Sequence, residues 1–135
     1  MRDANCVFCK ILNGEIPSAK LYEDEDFVIM LDIGPAAFGH ALLIPKNHYA
    51  NLFEMPEELL AKSVQLAKVW GEKMVKAFHA DGLNLVQNNG TAAGQTVFHY
   101  HMHLIPRYQD DGVGELWTPG TLSEEQREEI LKKLL

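Results

Sequence analysis

Over the first third of the chain, apolar and polar positions alternate in short bursts, and then the period becomes helical. LYEDEDFVIMLDI, from 21 to 33, reads as two short strands about an acidic turn, and HALLIP, from 40 to 45, as a third strand ended by Pro45. Ahead of them KILNGEIPSA carries Asn13, Gly14 and Pro17, which predict a short helical turn and then a loop. From about Pro56 to Ala80, Leu59, Leu60, Val64, Leu66, Ala67, Trp70, Met74, Val75 and Phe78 fall on roughly half of a helical wheel. Pro56 suits the first helical position and Gly82 the stop. So broad an apolar face predicts a helix packed on its own sheet and on a partner subunit. LNLVQ (83 to 87) and VFHYHMHLI (97 to 105) read as two more strands joined by NNGTAAGQT. SEEQREEILKKLL closes the chain as a helix, with Ser123 and Gln126 in capping-box spacing. The order β-β-β-α-β-β-α, with consecutive strands joined by turns, predicts an α+β fold: an antiparallel sheet of about five strands, one long helix and a C-terminal helix.

Composition narrows the function classes. At 135 residues the chain suits a single domain. It has no run of about 18 apolar residues and its start, MRDANCVFCK, lacks a secretory h-region, so a soluble protein of the cytoplasm is expected, without membrane association. The net charge of −7 argues against a nucleic-acid surface but not against a small anionic ligand held by local donors. Cys6 and Cys9 are the only cysteines, and two thiols three positions apart in a reducing compartment point to a metal more than to a disulfide.

The stretch FHYHMHLIPR places His99, His101 and His103 at alternate positions, where a strand would turn all three to one face and Tyr100, Met102 and Leu104 to the other. At about 3.3 Å per residue, His99 and His103 stand about 13 Å apart, too far to share one metal. The row therefore divides its labour. Just upstream, Gly90 and Gly94 allow close backbone approach, while Asn88, Gln95 and Thr96 offer side-chain donors, together a phosphate-sized site.

Here the chain resembles the histidine-triad (HIT) family of nucleotide hydrolases and transferases, whose signature is His-apolar-His-apolar-His followed by two apolar residues. HYHMHLI fits in full, GQTV precedes it, and CVFCKILNGEIPSAKLYEDE, LDI and GHALLIPKNH extend the likeness to a Hint-like branch of bacterial type. The resemblance implies one HIT domain over 1–135, with a core and motif at 1–110 and a tail and helix at 111–135. It implies a sheet extended across a homodimer, and a hydrolase acting on nucleoside monophosphates, AMP or GMP, joined through the α-phosphate to a leaving group, as an adenosine phosphoramidase does. His101 would be the nucleophile that becomes nucleotidylated, its other nitrogen held by a backbone carbonyl. His103 would serve the leaving group as hydrogen-bond donor or proton source, and His40 would give positional support. Asp32 would hold the ribose, and Asn88, Gln95, Thr96, Val97 and the loop amides would face the phosphate. Val7, Phe8, Ile11, Ile16, Met30 and Ile33 match positions that sandwich a base, and apolar walls discriminate weakly among bases.

In relatives that carry the cysteine pair, the resemblance supplies His48 and His99 as the remaining ligands of a closed, structural Zn2+ site, so that catalysis needs no metal. His79 matches nothing and is expected at the surface. Trp117, in a tail that is not shared across the family, is a candidate contact for the leaving group. Dinucleoside polyphosphate hydrolysis and a non-catalytic nucleotide sensor or adaptor are the competing readings, and a zinc-only structural protein is disfavoured by the spacing of the triad.

Overall fold

The structure is a computed structural model that describes residues 2–114 and 117–135. A first helix, α1, spans Val7–Leu12 and is capped by the Cys6 side chain. Strands β1 (Lys20–Glu23), β2 (Phe27–Leu31) and β3 (Ala41–Pro45) follow, then helix α2 (Glu57–Phe78), strands β4 (Gly82–Val86) and β5 (Met102–Arg107), and helix α3 (Glu124–Leu134). The strands form one antiparallel sheet in the order β1-β2-β3-β5-β4, as the run of turn-linked strands predicted. Among the described residues no helix is long and apolar enough to cross a membrane.

β2 and β3 are apolar at almost every position because both of their faces are covered. Phe27, Ile29, Ala41 and Leu43 join Ala67, Met74, Tyr100, Met102 and Leu104 in a core under α2. Val28, Met30, Leu42 and Ile44 point the other way and pack with Cys6, Phe8 and Cys9. The register Met30 to Leu42 and Leu42 to His103 puts the His103 side chain on this second face, beside α1.

The last strand differs from its sequence reading. It begins at Met102, not Val97, so only His103 of the three histidines lies on a ladder. Residues 97–101 lead into it as an approach segment that bends at 97–99 and is anchored where the Tyr100 amide donates to the Tyr49 carbonyl at 2.6 Å. The alternation persists without the ladder. Tyr100 enters the core under α2, while His99 and His101 turn to the α1 side, where Phe8 stands edge-on to both at centroid distances of 5.9 and 5.0 Å.

Helix α2 starts one residue later than expected, with Pro56 as its cap, and ends at His79, which adopts a left-handed conformation with φ 54°. Gly82, read as the stop, opens β4 instead. His79 is exposed, as expected. The wheel was too generous in one sector: Val64 is exposed, while Ser63 and Gly71 are buried. Gly71 lets α2 meet β4, since a Cβ there would lie 2.6 Å from Leu83 Cδ2. On the outer side of that contact, Ala67, Gly71, Val75, Leu83 and Leu85 line an open apolar groove beside the edge strand β4. Helix α3 carries the expected capping box and is exposed along its length.

Candidate active site and metal centre

Two side-chain clusters flank His101. In the first, α1 brings Cys6 and Cys9 to the inner end of the approach segment, where His99 is buried, and the loop after β3 delivers His48. Their ligand atoms all lie within 4.8 Å of one another. Cys6 Sγ is 3.4 Å from His99 Nδ1, and Cys9 Sγ is 3.5 Å from the Nδ1 atoms of both His48 and His99. A tetrahedral zinc with bonds of about 2.3 Å to sulfur and about 2.0 Å to nitrogen has S···N edges of about 3.6 Å. The spacing fits, and so does the protonation. His99 Nε2 lies 2.8 Å from the Pro45 carbonyl, which can only accept, so the ring proton sits on Nε2 and the lone pair of Nδ1 faces the sulfurs. The Asp3 amide donates to Cys9 Sγ at 3.3 Å and the Cys9 amide to Cys6 Sγ at 3.4 Å, as thiolates would require. Burial pushes the Cys9 thiol above its ordinary value, against the pull of the Asp3 amide, so a cation at the centre of the cluster is what would ionise it near neutrality.

The second cluster holds Asp32, after β2, with His40, before β3, and His103 on β5. It is equally compact, with all ligand atoms within 4.8 Å. The Ala36 amide donates to His40 Nδ1 at 2.9 Å, which fixes the ring proton on Nε2. That Nε2–H points at His103 Nδ1, 2.9 Å away, with Asp32 Oδ2 at 3.4 Å. A cation would need the lone pair that His40 does not have there, so this cluster is a hydrogen-bond chain and not a metal site. Burial holds His40 below its ordinary value against the attraction of Asp32, and burial with the neighbouring His101 and His40 brings His103 down to about 4.

Between the clusters His101 is buried, with its ring centroid 5.0 Å from that of His103. Its Nδ1 lies 2.7 Å from the His99 carbonyl and so carries the proton, which leaves Nε2 with a free lone pair. Burial keeps the ring below its ordinary value, offset by that carbonyl and by Asp32, and therefore neutral near pH 7.

The remaining sequence-named residues separate into two groups. Phe8, Ile11, Met30 and Val97 pack in the cluster beside α1, whereas Ile16 is half-buried and Val7 is exposed. Ile33, next to Asp32, is 100% exposed. Thr96 lies at the mouth of a concavity that also includes Val7, Val97 and Phe98. Asn88 stands against Gly94. Gln95 does not offer the free donors expected of it. Its Nε2 donates to the carbonyls of Ala50 at 2.7 Å and Val97 at 3.0 Å, and its Oε1 accepts the Gly90 amide at 2.8 Å, so it braces the loop from within. Trp117 is 72% exposed, and Glu115 and Leu116 of the same tail lie outside the described residues. The resemblance implied a backbone carbonyl behind His101, and the carbonyl of His99 stands there; sequence reasoning did not find the Pro45 carbonyl or the Ala36 amide, because a backbone group leaves no mark in the residue code.

Comparison with known proteins agrees with this geometry. The family model described as the HIT domain matches residues 13–110. A protein of Schizosaccharomyces pombe named adenosine 5'-monophosphoramidase is 40% identical over 135 aligned residues, covering 96% of this chain and 98% of its own. Among solved structures, a HIT family member from Bacillus subtilis superimposes with a TM-score of 0.86 at 41% identity, covering 96% of this chain and 94% of that one. A zinc-bound histidine triad family protein from Mycobacterium smegmatis does so with a TM-score of 0.78 at 40% identity, covering 86% and 84%. With most of its length matched by the family model and its whole fold shared with those structures, the chain belongs to the HIT family.

Proposed function

We propose that this nucleotide hydrolase cleaves nucleoside monophosphates joined through the α-phosphate to a leaving group, in the manner of an adenosine phosphoramidase of Hint-like, bacterial type, through a nucleotidyl intermediate on His101. The observation that carries the reading is the buried, neutral His101, with Nδ1 bound to the His99 carbonyl at 2.7 Å and Nε2 free. Nucleotide binding alone has no use for such a nitrogen. The printed function of the Schizosaccharomyces pombe relative supports the same reading.

His101 Nε2 attacks the α-phosphorus, a P–N bond forms, and the bond to the leaving group breaks with its electron pair. The ring becomes a nucleotidylated imidazolium whose Nδ1–H bond to the His99 carbonyl strengthens as charge develops. Water then attacks phosphorus, and His101 leaves with the P–N electron pair in its original tautomer. Asp32, half-buried beside the second cluster, suits the ribose hydroxyls of AMP or GMP. Phe8, Ile11, Ile16 and Ile33 offer the apolar base walls, and Asn88, Thr96, Val97 and the loop that Gln95 braces face the phosphate.

Cys6, Cys9, His48 and His99 would hold Zn2+, which ties α1 to the approach segment and supplies no open coordination position for chemistry. The groove beside α2 and the exposed edge of β4 support a homodimer with a sheet continued across it. The single domain, with a core at 1–110 and a tail at 111–135 that bears on leaving-group choice, works in the cytoplasm. The test is to mix the protein with an adenosine phosphoramidate and follow AMP release and intact mass. Turnover with a transient nucleotidyl adduct that disappears in His101→Ala is expected, and tight AMP binding without turnover would sink the reading.

A further inference from the structure

We propose that Cys6 and Cys9 form a redox modification site: a hydroperoxide that reaches Cys6 through an open concavity converts the pair to a disulfide, releases Zn2+ and unfastens the segment that holds His101. The inference rests on the zinc-centre and hydrolase readings above and adds a control to them. These two are the only cysteines of the chain, and both are free thiols.

Local geometry already permits the bond. Cys6 caps α1 and Cys9 is the third residue of the helix, so the torsions that set their Cα separation are those of Val7 and Phe8, both helical. Three helical steps place Cα atoms about 5 Å apart, inside the range that a disulfide spans. The Cys9 amide donates to Cys6 Sγ at 3.4 Å, and the two sulfurs lie within 4.8 Å of one another. Rotation of the side chains closes that gap without moving the backbone. Access differs between the two thiols. Cys9 is fully buried, while Cys6 and His48 line an open concavity of about 440 Å³ together with Asn5, Val7, Thr96 and Phe98. Cys6 is therefore the attacking thiolate, and Cys9, behind it, the resolving one.

The electrons balance within the pair. A bound cation keeps both sulfurs as thiolates. Cys6 Sγ attacks the terminal oxygen of the hydroperoxide: an S–O bond forms, the O–O bond breaks, and hydroxide leaves, or alkoxide from an alkyl hydroperoxide. Cys9 Sγ then attacks the Cys6 sulfur; the S–S bond forms, and the S–O bond breaks with departure of hydroxide. The sulfurs give up two electrons, the peroxide takes both, and the ion loses two anionic ligands together.

The loss reaches beyond α1. The four ligands join three pieces of chain: α1, the loop after β3 through His48, and the approach segment through His99. A disulfide joins only two residues of the first turn of α1. The loop that carries His48 goes on to accept the Tyr100 amide at the Tyr49 carbonyl, 2.6 Å away, and Gln95 Nε2 at the Ala50 carbonyl, 2.7 Å away. Release of His48 thus loosens both the glycine loop and the segment whose His99 carbonyl anchors His101.

Titration of the zinc-loaded protein with hydrogen peroxide tests the site through three readings: zinc captured by a chromogenic chelator, intact mass without reductant, and AMP release from an adenosine phosphoramidate. Equimolar zinc release, a mass loss of about 2 Da and a fall in turnover of about tenfold or more are expected, all reversed by dithiothreitol with added zinc. A mass gain from sulfinic acid, a disulfide between chains, or retained zinc overturns the proposal. Cys9→Ser should leave Cys6 as a sulfenic acid that dimedone captures; capture at Cys9 in Cys6→Ser, with none at Cys6 in Cys9→Ser, overturns the route through the concavity. A disulfide with zinc released and turnover unchanged would show that the pair does not govern His101. Absence of turnover before peroxide is added would reject the hydrolase reading instead, while zinc and mass still decide the modification. A protein that binds no zinc rejects the metal centre and this proposal with it.

Discussion

The two clusters beside the nucleophile contain similar atoms at similar spacing and behave oppositely. Cys6, Cys9, His48 and His99 converge on a point with lone pairs inward; Asp32, His40 and His103 converge with protons already between them. The difference is made by one backbone group in each. The Pro45 carbonyl accepts a hydrogen bond from His99 Nε2–H and leaves the Nδ1 lone pair bare, whereas the Ala36 amide donates to His40 Nδ1 and leaves Nε2 protonated. Close approach of histidines and acids is therefore insufficient to identify a metal site. What decides is the hydrogen-bond partner at the far side of each ring, which selects the tautomer.

The sharpest way to separate the clusters is to delete the residue between them. His101→Ala should reduce turnover by about 10⁴-fold or more while leaving zinc content unchanged, as read by phosphoramidate hydrolysis and metal analysis of the same preparation. Loss of zinc along with activity would mean that the two clusters are not separable.

Next in size is the metal cluster itself. Cys6→Ser should lose the ion and about 3 to 5 kcal/mol of unfolding free energy in denaturant titration, with the fold still assembled around β2 and β3. Titration of the wild-type protein with zinc should give one tight equivalent per chain. A second tight equivalent abolished by His40→Gln would break the contrast, because it would place an ion where the proton chain is drawn.

Removing the hydrogen bond from His40 to His103 ought to cost less. His40→Gln should lower kcat/KM by about 10- to 100-fold with zinc retained, since it acts through His103 and not on phosphorus. Equal loss from His40→Gln and His101→Ala would show that His40 touches the reacting atoms.

The smallest effect is on stability against pH. The native His103 titrates at about 4, below the unfolded value of 6.5, so between those values the unfolded chain binds more protons. The neutral ring's contribution is complete above about pH 6.5 and is lost as the pH falls towards 4. Zinc-loaded wild type and His103→Gln, compared by thermal unfolding at pH 7 and pH 4.5, should differ by about 1 to 2 kcal/mol in their pH sensitivity. Parallel curves would show that His103 is not held neutral.

The order of elements and the antiparallel sheet were legible because apolar periodicity directly reflects which faces are covered. β2, β3 and α2 announce themselves in FVIML, ALLIP and the spaced apolar residues of 57–78. The ends were less legible. His79 stops α2 in a left-handed conformation that glycine usually takes, and Gly82 opens a strand instead of ending the helix. Gln95 shows the same limit within the site: a carboxamide beside two glycines reads as a phosphate donor, yet the loop folds around it and occupies its Nε2 donor with the Ala50 and Val97 carbonyls.

The residue code alone determined that three histidines share one side of the chain and that two cysteines stand one helical turn apart, since those facts need only the local geometry of extended and helical backbone. Which nitrogen of each ring carries a proton was decided only by the tertiary fold. Pro45 reaches His99 across 54 positions of sequence, and His40 reaches His103 across 63. Even the short-range contacts, Ala36 to His40 and the His99 carbonyl to His101, depend on a loop pinned by Tyr108 and an approach segment pinned by Tyr49. An imidazole is the same in every sequence; its role follows from the carbonyl or amide that the fold places behind it.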